Sequence, residues 1–352
     1  MDFARYMHLA LYSPGLGYYS GGASKFGSAG DFVTAPEISC LFGRSLARQV
    51  MQVLQPTKGS VLELGAGTGK LCADLLLELQ HLDTLPQQYL ILEVSAHLRE
   101  MQQQTLQKML PVGLYERIRW LDTLPETFTG MVIANEVLDA LPVLIIKSDG
   151  QALHELGVTC EDGKLGWQAE ALTSAQLQEA ATRLTLPAGY QSELCPAASA
   201  LVASLGHMLQ HGVILLIDYG FPRHEYYHAQ RNAGTLMCHY RHHAHGDPFF
   251  HPGLQDITAH VDFTAVAEAG VANGLQLSGF CTQAQFLINC GIADLLQEAS
   301  PADLKTYAPM AAQAQKLLSP AEMGELFKAI ALARGFADPL VGFSQGDKRH
   351  KL

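Results

Sequence analysis

The chain of 352 residues reads as an α/β protein built on a doubly wound, Rossmann-like sheet. Three observations predict that class. Short apolar runs at 60–64, 89–94, 117–121, 130–134 and 213–217 have the length of strands and are interleaved with helical patterns. A glycine-rich turn, Gly65-Ala66-Gly67-Thr68-Gly69, follows the first run and leads into one of those helical patterns. Acidic residues stand at or just past the ends of the runs, namely Glu63, Glu93, Asp122 and Glu136. Runs that are apolar throughout imply strands covered on both faces, the habit of parallel sheets, and right-handed crossovers wind such a sheet doubly.

The elements follow in order. Residues 1–36 hold Gly15, Gly17, Gly21, Gly22, Gly27 and Gly30 among Tyr12, Tyr18 and Tyr19. Glycine loses too much backbone entropy inside helix or strand, so a mobile loop with aromatic anchors is expected there. From Pro36, a residue suited to a first turn, Ile38, Leu41, Phe42, Leu46 and Val50 fall near a 3.6-residue period. Residues 1–50 are thus expected to form an N-terminal lid and helix, and 51–352 the core. Within that core, 70–80 and 96–110 read as helices, the first with Leu71, Leu75, Leu76 and Leu79 on one face. The stretch 142–195 breaks the rhythm with turn signals at Asp149-Gly150 and Asp162-Gly163, predicting a hairpin insertion and a helix near 173–184. A helix near 197–211 leads into the fifth run. A histidine-rich connection, 220–260, forms a second insertion, and connections of that length usually carry function. A helix over 261–273 and a strand over 275–281 come next. Helices near 283–298, 303–317 and 320–333 predict a helical insertion over 283–335, and 340–343 looks like a last strand.

Composition narrows the classes. With 48% hydrophobic and 16% charged residues the chain has ample material for a large core. Its 23 basic and 34 acidic residues give a net charge of −11, which argues against a nucleic-acid partner. Seven cysteines, an odd number with no C-x-x-C pair, suggest buried thiols rather than disulfides or a zinc site. No run approaches the roughly 18 apolar residues of a membrane span. The first residues lack a secretory h-region, so a cytoplasmic or organellar-matrix location is expected.

The glycine turn is the strongest local signal. Gly65, Gly67 and Gly69 let the backbone bend sharply and approach a ligand at the positive end of the following helix. A dinucleotide fingerprint would need glycine at 70, where Lys70 stands, which weakens an NAD-dependent oxidoreductase. The form E-x-G-x-G-x-G instead resembles the first motif of class I S-adenosyl-L-methionine (SAM) methyltransferases. That resemblance implies that Gly65, Ala66, Gly67 and Gly69 hold the methionine part of the cofactor and that Glu63 faces its amino group. Glu93 lies 24 residues after Gly69, near the offset at which such folds place a carboxylate on ribose hydroxyls. Asp122 is the matching candidate for the adenine amino group. After the fourth run come Asn135, Glu136 and Asp139. Glu136 and Asp139 are three apart, so a helical turn sets them on one face, where paired acids could orient a cationic nucleophile such as a guanidinium. The histidines at 239, 242, 243, 245, 251 and 260 form no metal-binding pair of the H-E-x-x-H kind, and no metal is expected. His260 and Asp262, at a helix entry, are candidates for substrate contact.

A whole-chain resemblance extends this reading. YSPGLGYY (12–19), GDFVTAPEIS (30–39), ELGAGTG (63–69), LILEVSAHLR (90–99), IANEVLDALP (133–142), LIDYGF (216–221), DITAHVDF (256–263) and MGELFKAIAL (323–332) occur in an order that resembles the MidA family. The resemblance implies a class I methyltransferase sheet, SAM as cofactor, and Thr34 and Glu37 as further cofactor- and substrate-side residues. Mitochondrial members of that family methylate arginine on a subunit of a respiratory complex during its assembly. A protein-arginine acceptor is therefore the first expectation. A small-molecule N- or O-methyltransferase and a SAM-binding assembly factor that works by contact are the alternatives, and oligomeric state is left open.

Overall fold

The computed structural model describes residues 1–21, 33–172 and 175–352. Ahead of the sheet stand α1 (Phe3–Tyr12), α2 (Ala35–Ile38) and α3 (Cys40–Thr57). The chain then runs through β1 (Ser60–Leu64), α4 (Lys70–His81), β2 (Tyr89–Leu92), α5 (Ala96–Met109), α6 (Val112–Tyr115), β3 (Ile118–Leu121) and β4 (Phe128–Asn135). The first insertion contains β5 (Leu144–Ser148), β6 (Leu153–Glu161), β7 (Lys164–Ala171), α7 (Ala175–Arg183) and β8 (Gln191–Leu194). After α8 (Pro196–Met208) and β9 (Leu209–Phe221) come α9 (Arg223–Tyr226) and the short strands β10 (Met237–Tyr240), β11 (His243–His245) and β12 (Asp256–Thr258). The remainder is β13 (Val261–Asp262), α10 (Phe263–Ala272), β14 (Gln276–Thr282), α11 (Gln283–Asn289), α12 (Ile292–Gln297), α13 (Leu304–Leu318) and β15 (Phe327–Arg334).

The central sheet has the order β14-β15-β9-β4-β1-β2-β3, with β13 beside the end of β9. Strands β3, β2, β1, β4 and β9 are parallel, while β15 runs antiparallel between β9 and β14. Alternate side chains of each strand go to opposite faces. Val61, Met131, Ile133, Val213 and Leu215 pack under α3, α4 and α11, whereas Leu62, Val132, Ala134, Ile214 and Leu216 pack under α8 and α10. Both faces being covered is the physical reason the strand sequences are apolar throughout. Spatial order reverses at β1 and β4, so a crevice opens between their carboxyl ends.

The insertion over 142–195 forms an antiparallel sheet, β7-β6-β5-β8, larger than a hairpin. Its β6–β7 turn is Asp162-Gly163, both with positive φ, as that dipeptide predicts. The histidine-rich connection carries a three-stranded sheet, β11-β10-β12, rather than continuous loop.

Three expectations are corrected. Residues 3–12 are helix, not mobile loop: Asp2 caps α1 by accepting from the Arg5 amide at 2.6 Å, and Phe3, Tyr6, Met7, Ala10 and Leu11 form its buried stripe. The glycines that argue against regular structure all follow it, and Gly22, Gly27 and Gly30 lie outside the described residues. The helix expected near 320–333 is instead β15, so the 283–335 insertion is not helical throughout. Its Ala- and Leu-rich sequence favours helix, but the slot between β9 and β14 supplies ladder bonds and burial on both faces, and tertiary context overrides propensity. Residues 341–343 form a 3-10 turn, not a strand. Among the described residues no helix is long and apolar enough to cross a membrane.

Candidate active site

A cavity of about 1190 Å³ opens at the carboxyl edge of the sheet. Its floor is the turn after β1. Gly65, Gly67 and Gly69 have φ of +61°, +52° and +87°, a region where any other L-residue is strained. A Cβ on Gly65 would stand 3.1 Å from Val137, which closes the opposite wall. Gly65, Ala66 and Gly67 line the cavity. Gly69 does not: it begins α4 and faces α5, where a Cβ would meet Leu106 at 3.3 Å and Gln102 at 3.4 Å. Its task is close packing rather than ligand contact. The Thr68 hydroxyl donates to Glu37, which fastens α2 over the turn, and Thr34, Pro36 and Glu37 all face the cavity. Glu37 is thereby brought to the glycine turn.

Two acids follow along the same edge. Glu63 is 3% exposed and accepts from the Tyr89 hydroxyl at 2.7 Å, while burial pushes its carboxyl up to about 7. Glu93 is buried, accepting from the Ser95 amide at 2.9 Å and from Gln102 Nε2 at 3.1 Å, and burial raises it as well. Asp122 departs from expectation. It lies off the cavity, 89% exposed, paired with Arg99 at 2.8 Å.

The opposite wall is the turn after β4. Glu136 holds a positive φ of +54°, which for a non-glycine marks strain of the sort found at functional sites. Its Oε1 accepts from the Ala35 amide at 3.3 Å and from Asn135 Nδ2 at 3.1 Å. Asp139 Oδ2 accepts from the Tyr219 hydroxyl at 2.5 Å. Behind them Asp218 Oδ2 accepts from the amides of Val137, Leu138 and Asp139 at 3.2, 2.9 and 3.2 Å, and its Oδ1 from the Tyr219 amide at 2.9 Å. That carboxylate therefore templates the turn. Burial, reinforced by the nearby Asp139 charge, pushes Glu136 up to about 8; burial pushes Asp139 up to about 6. Asp218 is also raised, first by burial and then by those two acids. Asn135 Oδ1 and Asp139 Oδ1 are buried without a hydrogen-bond partner. Among the described residues no Lys or Arg forms an ion pair with Glu136, Asp139 or Asp218.

His260 lines the cavity, its ring edge-on to Tyr219 and Phe221. Burial, helped by Arg231 and Lys328, lowers its pKa to about 4, so it stands neutral. Asp262 does not reach this cavity. It caps α10 through the Thr264 and Ala265 amides and pairs with Arg223 at 3.3 Å. Among the described residues no group of three or more His, Cys, Asp or Glu could hold a metal ion.

Sequence reasoning missed part of the wall. Tyr12 and Tyr19 stack at 5.5 Å, with the Tyr12 hydroxyl donating to the Ala140 carbonyl and the Tyr19 hydroxyl to Asp256 at 3.0 Å. Both rings, Tyr219 and Asp256 line the cavity. The signal was present in YSPGLGYY, LIDYGF and DITAHVDF, motifs that carried the resemblance without a site role for Tyr12, Tyr19, Tyr219 or Asp256.

The glycine cradle, the two buried acids beside it and the size of the cavity fit a cofactor with an amino-acid tail and a ribose. Residues 41–281 match the model of a family of S-adenosyl-L-methionine-dependent methyltransferases. The chain belongs to this family, the MidA-like methyltransferases. A protein from Burkholderia thailandensis, crystallised with S-adenosyl-homocysteine, superposes with a TM-score of 0.97 at 49% identity, covering 100% of this chain and 92% of that one. The protein arginine methyltransferase NDUFAF7 homolog of Caenorhabditis elegans is 28% identical over 94% of this chain and 82% of its own length. The human mitochondrial protein arginine methyltransferase NDUFAF7 is 29% identical over 94% of this chain and 79% of its own length. This MidA-like chain is thus a SAM-dependent methyltransferase with a class I methyltransferase fold.

Proposed function

We propose that this methyltransferase acts on a guanidinium nitrogen of a protein arginine. The observation that carries the reading is the wall after β4, where Asn135, Glu136 and Asp139 gather acceptor oxygens, two of them without donors, and among the described residues no Lys or Arg pairs with them. Buried acceptors without donors are rare unless a ligand supplies the missing N–H groups. The relatives named as protein arginine methyltransferases support the same acceptor. A cavity of about 1190 Å³ exceeds the roughly 300–1,000 Å³ of a single-ligand pocket and has room for a cofactor and an inserted side chain together.

In this reading Gly65, Ala66, Gly67 and Thr34 bed the amino-acid tail of SAM, Glu63 meets its ammonium, and Glu93 takes the ribose hydroxyls. SAM supplies an electrophilic methyl on its sulfonium when bound. Everything else is alignment by the chain, and ordering two reactants can lower a barrier by about 7–11 kcal/mol. A guanidinium is planar and always protonated in the free side chain. Glu136 and Asp139 hold its N–H edges, drawing positive charge toward the nitrogens they touch and leaving electron density on the attacking one. Glu136, raised by burial, stands protonated until the arriving cation ionises it, and the resulting carboxylate, beside the substrate, accepts the proton that the methylated nitrogen releases as S-adenosylhomocysteine departs. Tyr12 and Tyr19 offer ring faces beside these acids for the same cation. A respiratory-complex subunit is the acceptor the family resemblance suggests.

The test supplies tritiated SAM and the purified protein to an extract of cells lacking the gene. Label recovered as methylarginine after acid hydrolysis, and lost with Glu136→Gln, is the expected result. Label in a small molecule or in another residue type refutes the reading.

A further inference from the structure

The two cofactor-side features, the glycine turn and Glu93, belong to different strands, and one side chain ties them together. Gln102, on α5, is fully buried. Its Nε2 donates to the Gly67 carbonyl at 3.0 Å and to Glu93 Oε2 at 3.1 Å, and its Oε1 accepts from the Trp120 indole N–H at 2.9 Å. The indole fixes which way round the amide sits, because an indole N–H faces only an acceptor. Both amide N–H groups are therefore committed, one to the turn and one to the acid. Gly69 makes the approach possible: a side chain there would strike Gln102 Cα and Leu106. Glu93 Oε1 is separately held by the Ser95 amide, so the carboxylate cannot rotate while Gln102 keeps its other oxygen.

We infer that Gln102 is a positioning residue for the cofactor, coupling the turn that beds its amino-acid tail to the acid that grips its ribose. The inference rests on the SAM site described above but not on the identity of the methyl acceptor. Gln102 touches no cofactor atom in this assignment; it acts through Gly67 and Glu93. In the sequence it is one of three consecutive glutamines, Gln102-Gln103-Gln104, and nothing there marks it out.

Calorimetric titration with S-adenosylhomocysteine tests this without any acceptor. Gln102→Met keeps the volume and removes both donors, and it is expected to weaken binding at least tenfold. Trp120→Phe, a milder change that keeps a ring in place, frees the amide to turn and is expected to weaken binding about threefold. Two further readouts separate positioning from general loosening. In a Glu93→Gln background, Gln102→Met should cost much less than in the parent, since half of what it positions is gone. With 5′-methylthioadenosine, which lacks the amino-acid tail, the loss caused by Gln102→Met should be smaller than with S-adenosylhomocysteine. Binding within twofold of the parent for a folded Gln102→Met, or equal losses with and without Glu93, overturns the inference. Should Gln102→Met fail to fold, unchanged affinity in Trp120→Phe does so. A parent that binds neither ligand fails the SAM site itself, which is a different result.

Discussion

The cleft has two halves that hold their acids in opposite ways. On the cofactor side, Glu63 and Glu93 each meet donors from within the protein: Tyr89 for the first, Ser95 and Gln102 for the second. On the acceptor side, Glu136, Asp139 and Asp218 crowd together, and their hydrogen bonds leave Asp139 Oδ1 bare. In the proposed reading, separated acids with donors form a prepared seat for a neutral hydroxyl pair and one ammonium. In the same reading, the crowded acids, which among the described residues have no cation, are held toward their protonated forms by burial and by one another, and an incoming guanidinium would supply the missing charge. On that reading, the difference teaches that the first half suits a constant ligand and the second a charged one that comes and goes.

The sharpest way to break this comparison is to remove one acid from each half. Glu93→Ala should raise the S-adenosylhomocysteine dissociation constant about 10- to 100-fold, the value of a charge-assisted pair of hydrogen bonds. Glu136→Gln should leave that constant within about twofold while abolishing methyl transfer, a loss of at least about a hundredfold. Calorimetry and tritium incorporation on both variants decide it; equal effects on both measurements would merge the halves into one.

A second prediction uses pH. Glu136 titrates near 8 in the folded protein, above the ordinary glutamate range, so the folded state binds a proton more tightly than the unfolded chain. Its contribution to stability is present below about 4.5, the unfolded value, and is lost as pH rises through 8. The ligand-free protein should therefore melt at lower temperature at pH 8.5 than at pH 6. Glu136→Gln should flatten that slope and stabilise the alkaline state by about 1–3 kcal/mol, discounted for water in the cleft. Thermal melts across that range read it directly, and a steeper slope in the variant would contradict the repulsion.

Smaller effects mark the borders of the site. Asp262→Ala removes a helix cap and the Arg223 pair, and should lower stability by about 1–2 kcal/mol with S-adenosylhomocysteine affinity unchanged. Asp122→Ala should change affinity by less than about twofold and stability by under about 1 kcal/mol, because it breaks only an exposed ion pair. A large loss of affinity in Asp122→Ala would return that residue to the cofactor site.

Legibility in the sequence followed chain distance. The run from Glu63 to Glu93 sets strand, glycine turn, helix and second acid next to one another along the chain, and these features were readable because strand and helix periods together fix where each strand ends. The same rule placed Asn135, Glu136 and Asp139 at the crevice. It misplaced Asp122, since reaching a strand end does not mean facing the cleft. By itself the sequence determined the doubly wound sheet and the residues at its carboxyl edge. Only the tertiary structure decided that Asp218 holds the Glu136–Asp139 turn, that Tyr12 and Tyr19 line the cavity, that Gln102 joins turn to acid, and that an alanine-rich segment becomes β15. Each of those depends on contacts between residues far apart in the chain, where burial and hydrogen-bond geometry outweigh local preference.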